Sequence, residues 1–254
     1  PPQEGVIFLE PCPAMNAPTP TTNDAQDDVE LKKQLDDLIA EEEGTQSQFG
    51  GWWGVLITLA CVLMSAIHLY AAYDIVPTST MRPLHVSLVL ALTFLIMPIS
   101  KRYVNRIMWW DLIAAGLAIA VFFVIISGGE DFLERNTNPI QSDIAWGVIL
   151  IVLILEALRR TNGWILLVIT LAFLAYALLG NHLPEPWTHK GYSLGRLIGH
   201  MYMTLEGIYG SAVDVSSSLI ILFTIFGAFL QFTGAGKFFI DWSYSALGGK
   251  PSNV

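Results

Sequence analysis

From Val215 to Phe232 the chain carries no charged side chain, a run of roughly 18 residues near the lower end of what crosses a bilayer. Five more apolar runs follow, Trp52 to Tyr73, Leu84 to Ile99, Leu112 to Ile126, Ile144 to Leu158 and Trp164 to Leu179, uncharged apart from Glu156 near the end of the fourth span. In hydrocarbon every backbone N–H and C=O must be satisfied within the segment, so such runs become helices. The expected fold is an all-α polytopic membrane protein with about six transmembrane helices. Composition agrees, with 53% hydrophobic and only 14% charged residues against about 25% charged in soluble domains.

The flanks of the runs fit this reading. Trp52 and Trp53 stand at one end of the first run and Tyr70 and Tyr73 at the other, where aromatic rings anchor at the head groups. Pro98 falls in the expected last turn of the second run. Trp109 and Trp110 precede the third, and Gly128 and Gly129 end it. Ser216, Ser217 and Ser218 open the sixth run, where hydroxyls can accept from unpaired first-turn amides. Gly234 and Gly236 close it. Beyond them, Lys237 to Leu247 mixes Phe238, Phe239 and Trp242 with Lys237, Asp241 and Ser245, the pattern of a helix lying along the interface. Ser193 to Tyr209 reads as a second amphipathic connector of this kind.

The net charge of −9 arises almost wholly before residue 45, so the low pI says little about partners. Residues 1–28 are rich in Pro, Asn, Thr and Asp and cannot build a core, which predicts disorder. Met15 is a candidate start, and no basic segment precedes a short apolar core as in a signal peptide. Asp28 to Glu43 is expected to form a short helix with Leu31, Leu35, Leu38 and Ile39 on one face. Its acidic side reads as a solvated surface, with a contact to the cytoplasmic face of the spans as the alternative.

Orientation follows from Lys and Arg in short loops. Lys101, Arg102 and Arg106 lie between the second and third runs, and Arg159 and Arg160 between the fourth and fifth. The opposite loops hold Arg82 and Arg135, and, farther on, Lys190 and Arg196. The excess puts the N-terminus in the cytoplasm and loops 74–83, 128–142 and 181–191 outside.

Candidate chemistry is sparse. No Gly-rich phosphate loop, nucleophile elbow or paired carboxylates with a defined partner is found, so no enzyme and no cofactor is expected. No basic stripe suggests nucleic acid. His182 and His189 are seven apart without a third ligand, which argues against a metal site. Cys12 and Cys61 define no disulfide framework. His68, in the first run, reads as a hydrogen-bonded packing residue rather than a proton relay. Glu156 lies three and four residues before Arg159 and Arg160, so all three can meet on one helix face at head-group depth. This cluster reads first as a structural anchor with a topology signal, and second as part of a transport path. The spans read as continuous helices without an intramembrane carboxylate.

Two stretches carry a family likeness. IFGAFLQFTGAGKFFID, from Ile225 to Asp241, resembles the start of the large membrane subunit of TRAP (tripartite ATP-independent periplasmic) transporters. LEALRRTNGW, from Leu155 to Trp164, resembles a segment of the type in which small and large membrane subunits are fused. Asp214 departs from the pattern, where a small residue is expected, and is given no substrate role. Composition and the charge count make residues 1–48 a disordered, acidic cytoplasmic segment with a short helix; the resemblance implies 50–180 as a small-subunit-like scaffold of five spans and 181–254 as the beginning of a large-subunit-like transport part, truncated before its substrate site. It implies a permease component of a sodium-driven symporter in the bacterial inner membrane, importing organic acids delivered by a periplasmic substrate-binding protein. The rest of the large subunit and the bilayer would be its other partners, and both the substrate and the sodium site would lie beyond Val254. A site within this chain would have to be sought among His68, His85 and Glu156. The alternative is a membrane interaction protein that only scaffolds a separate transport subunit.

Overall fold

The computed structural model describes residues 49–246 together with Leu31 and Ser47. The disorder expected over 1–28, nearly all of the acidic helix and the chain after 246 lie outside the described residues. The helices are α1 (Gly51–Tyr73), α2 (Thr78–Ile96), α3 (Trp109–Glu134), α4 (Gln141–Leu179), α5 (Leu194–Met203), α6 (Ser211–Val215), α7 (Ile221–Phe232) and α8 (Ala235–Ala246). A π-helical turn, Ser216–Ile220, joins α6 to α7, so that Ser211–Phe232 forms one rod. Among the described residues there is no strand. Among the described residues five helices, counting that rod once, are long and apolar enough to cross a membrane. The protein is therefore an all-α, multi-pass membrane protein.

The six apolar runs lie on five long helices because the fourth and fifth share α4. Its 39 residues would make a straight rod of about 58 Å, nearly twice a hydrocarbon core of about 30 Å. Gly163 resolves the mismatch. Its φ of 74° and ψ of −159° break the helix between the two runs. Gly129, with φ 54°, does the same near the end of α3, where the Gly-Gly pair marks the end of the run.

Three expected boundaries move. The second span begins at Thr78 rather than Leu84, because Pro77 supplies the cap position and its carbonyl accepts from the N–H groups of Thr80 and Met81. The loop expected over 74–83 thus shrinks to 74–77. At the other end the helix stops at Ile96, and Pro98 lies outside it. Met97 is already extended, as proline demands of the residues before it. The sixth span begins at Ser211 rather than at the serine triplet, which falls inside the rod and caps nothing. The spans are accordingly not all regular continuous helices.

Helices in lipid gain little from hiding apolar surface, so their contacts rely on close packing. α2 and α3 show this. Val86, Leu90, Ala91 and Phe94 meet Ala115, Ala118, Val121 and Ile125, with small residues in the first half of the α3 face and larger ones beyond. Leu150, Leu153 and Ala157 of α4 complete this core. α5 crosses the start of α4 at Gly147, where an added Cβ would collide with Ile198 and lie 3.1 Å from the Tyr202 ring. Tyr202 in turn packs edge-on against Phe132 at 5.1 Å. By contrast α1 buries only His68, and the second half of α4 buries only Leu167. Their outward Leu, Ile, Val and Phe side chains are suited to lipid.

Gly163→Ala should lower the apparent unfolding temperature of the detergent-solubilised protein, since its backbone region is nearly glycine-only and costs a side chain about 1–3 kcal/mol. Gly116→Ala, at an α3 position with no atom within 4 Å of the added methyl, should raise or preserve it. Equal shifts in calorimetry for both variants would contradict the broken α4.

Candidate functional site

The first and last spans meet α2 through buried polar groups. His68 of α1 and His85 of α2 are 1% and 6% exposed. His68 Nδ1 lies 2.7 Å from the carbonyl of Met64, which can only accept, so this nitrogen carries a hydrogen. His68 Nε2 then accepts from His85 Nδ1 at 2.9 Å, and His85 Nε2 accepts from the Ser216 hydroxyl at 3.1 Å. All donors point one way, from the sixth span to the first.

Ser216 reaches His85 from the π-helical turn, an irregularity that is frequent at functional sites. The other two serines bond backward to the Asp214 carbonyl, Ser217 at 3.1 Å and Ser218 at 2.7 Å. Asp214, one turn earlier, pairs with Arg82 at 2.9 Å. Arg82 also donates to the carbonyls of Tyr209 at 3.0 Å and Leu205 at 3.4 Å. A cavity of about 150 Å³ lies between these elements, lined among others by His68, Thr78, Arg82, Asp214, Ser217 and Ser218. The walls offer donors, hydroxyls and one carboxylate to a water-sized or ion-sized guest.

At the far end of α2, Glu156, Arg159 and Arg160 come together as their spacing allows. Glu156 accepts from both arginines at 2.8 Å. A fourth member is Asp111, the third residue of α3, which binds Arg160 at 2.7 Å with both side chains almost fully buried. Asp111 also accepts from the N–H of Met108 at the helix start. The arginines reach back to the end of α2, Arg160 to the Met97 carbonyl at 3.0 Å and Arg159 to that of Ile99 at 3.2 Å. Arg160 stands 5.0 Å from the Phe94 ring centre. Arg135 and Asp143 form a similar pair at the start of α4, at 3.3 Å. Nearby, the hydroxyls of Tyr202 and Tyr209 are buried without a hydrogen-bond partner among the described residues. Burial, then the charge of Asp143, pushes the Tyr202 phenol far above its usual range. Burial, then Tyr202, does the same to Tyr209.

These ties gather at the two ends of α2, against α1 and the sixth span at one end and against α3 and α4 at the other, and much of the chain that supplies them carries its own signature. Residues 149–252 match the family model of the Tripartite ATP-independent periplasmic transporter, DctM component. The match runs from within the first half of α4 to beyond α8 and is consistent with a TRAP permease. That is a transporter family, not an enzyme family. Neither a curated protein nor a solved structure matches the chain.

Within the DctM-like region lie Glu156, Arg159, Arg160, Asp214 and Ser216; His68, Arg82, His85 and Asp111 come from the preceding helices. Sequence reasoning missed Arg82–Asp214 and Arg160–Asp111, whose partners are 132 and 49 residues apart. Asp111 and Asp143 did leave a signal, each being an acid at the third position of a helix after a Trp-rich or Asn-Pro turn.

Breaking a buried ion pair strands the remaining charge, at a cost of about 3–5 kcal/mol. Asp111→Asn should therefore destabilise the protein far more than Glu156→Gln, whose partly exposed carboxylate is worth about 1 kcal/mol. Thermal unfolding of both variants in one detergent checks the order, and the reverse order would refute it.

Proposed function

We propose that this chain is the mainly scaffolding membrane part of a sodium-driven TRAP permease that imports organic acids delivered by a periplasmic binding protein. The observation that carries the reading is the DctM match over 149–252. The division into a small-subunit-like scaffold over 50–180 and the beginning of a large-subunit-like part over 181–254 belongs to the same proposal, as do the inner-membrane location and the cytoplasmic N-terminus. The helix arrangement supports it. The spans of 50–180 bear most of the packed core, while the rod Ser211–Phe232 packs only Val213 against it and is tied to α2 by the Ser216–His85 and Asp214–Arg82 contacts. Such a joint suits a boundary between a fixed frame and a part that carries substrate. Alternating access needs a midplane site built from interrupted helices, and the π-helical turn is a small local irregularity rather than such a break.

The charge distribution supports the orientation. Arg82 and Arg135 are held in ion pairs, whereas Arg102 and Arg106 are exposed and unpaired among the described residues. Free cations at 102 and 106 reinforce an inner location for that loop.

Two measurements test this. Liposomes holding the chain with the remaining large-subunit part should take up an organic acid only when a sodium gradient and the loaded binding protein are both present; uptake independent of both would refute the proposal. Reporter fusions should show phosphatase activity at Gly129 and none at Thr161. The opposite pattern would invert the topology.

A further inference from the structure

The end of α4 forms a cationic pocket that the transport reading does not use, although its residues lie within the matched stretch. Beyond Leu179 the chain folds back on its own helix. The N–H of His189 donates to the Gly180 carbonyl and that of Tyr192 to the Ala177 carbonyl, both at 3.0 Å. His189 Nε2 donates to the Tyr176 carbonyl at 3.0 Å, while Nδ1 accepts from the N–H of Gly191 at 3.0 Å. The Tyr176 hydroxyl donates to the Trp187 carbonyl at 3.1 Å.

This closure has an electrostatic result. The last carbonyls of a helix are the natural partners of nearby cations. Here they are occupied by neutral donors, so Lys190 and Arg196 are left without an acidic partner among the described residues. Both line a cavity of about 630 Å³ with Tyr176, His189 and Tyr192, and no carboxylate lines it. Arg196 leans toward the Tyr192 ring at 5.8 Å. The pocket is rigid on the His189 side, cationic at its rim and aromatic in its walls.

Its position selects the guest. Ile165, Ile169, Phe173 and Tyr176 follow one another at spacings of four, four and three, forming a single stripe along the second half of α4. All four are exposed. The stripe leads from the depth of the span to the pocket mouth, where Trp187 and Tyr192 stand at the level expected for an aromatic belt. A phosphate beside Lys190 and Arg196 would have its acyl chain lying along this stripe. We propose that the pocket binds the phosphodiester head group of an anionic phospholipid, with Lys190 and Arg196 as its charge partners and the Ile165–Tyr176 stripe as the track for one acyl chain.

The test is lipid retention by the intact protein in native mass spectrometry, with dioctanoyl phosphatidylglycerol, dioctanoyl phosphatidylcholine and inorganic phosphate as probes. Phosphatidylglycerol should bind at least tenfold more tightly than phosphatidylcholine. Lys190→Gln with Arg196→Gln should weaken phosphatidylglycerol by roughly ten- to thirtyfold, as two lost surface cations imply, and leave phosphatidylcholine unchanged. Lys190→Arg with Arg196→Lys should restore most of the affinity, which separates loss of charge from loss of fold. Phe173→Ser should weaken the lipid without creating phosphate binding. Equal binding of the two lipids, or no effect of the double Gln variant, would overturn the proposal. So would displacement of the lipid by inorganic phosphate at equal concentration, which would mark a free-phosphate site. A double Gln variant that lost only binding-protein docking would assign the cations to protein contact and overturn it equally.

Discussion

The hydrogen bond of 2.9 Å between His68 and His85 is the contact on which the placement of the first span depends. No other α1 side chain is buried. In water an apolar helix so exposed would be driven onto the bundle by its surface alone. In lipid that drive is largely absent, and a polar pair sealed from solvent holds the helix and fixes its rotation. Ser216 extends the same thread to the last span. Three helices that share little packed surface are thereby joined by side chains that have nowhere else to find partners.

α2 is the element through which this logic runs. Its start presents Arg82 and His85, its middle the apolar face toward α3, and its end the Met97 carbonyl to Arg160, with that of Ile99 just beyond for Arg159. Charge stays near the two ends and apolar packing occupies the middle, as the depth dependence of burial costs in a bilayer requires. The Arg160–Asp111 pair is tolerable because both groups are fully bonded. Arg160 is shared between Asp111, Glu156 and a backbone carbonyl, and Asp111 also accepts from a helix-start amide.

The helical class and the apolar runs were legible because each depends on residues near in sequence. The Glu156, Arg159 and Arg160 cluster was legible for the same reason, lying within one turn of one helix. The sequence spaced the fourth and fifth runs correctly, but it could not tell that a single glycine conformation separates them within one element. The start of α2 was misread because prolines at 77 and 83 look like loop residues, although Pro77 serves as a helix cap. Serines 216 to 218 were misread as a cap because hydroxyls beside an apolar run satisfy that pattern equally well. Only tertiary structure shows that one of them faces a histidine 131 residues away. Long-range pairs such as Arg82 with Asp214 have no local signature.

The π-helical turn at 216–220 inserts a surplus residue into a rod that otherwise repeats about every 3.6 residues. Everything beyond it is rotated by about 100° relative to an uninterrupted helix. Ser216 can therefore face inward to His85 while Phe223, Phe226 and Phe229 turn outward. The turn works as a phase adjuster between two halves of one helix, each obeying a different neighbour. Removing the surplus residue would let only one half keep its proper azimuth, so the polar attachment and the outward aromatic face are tied to a single count of residues.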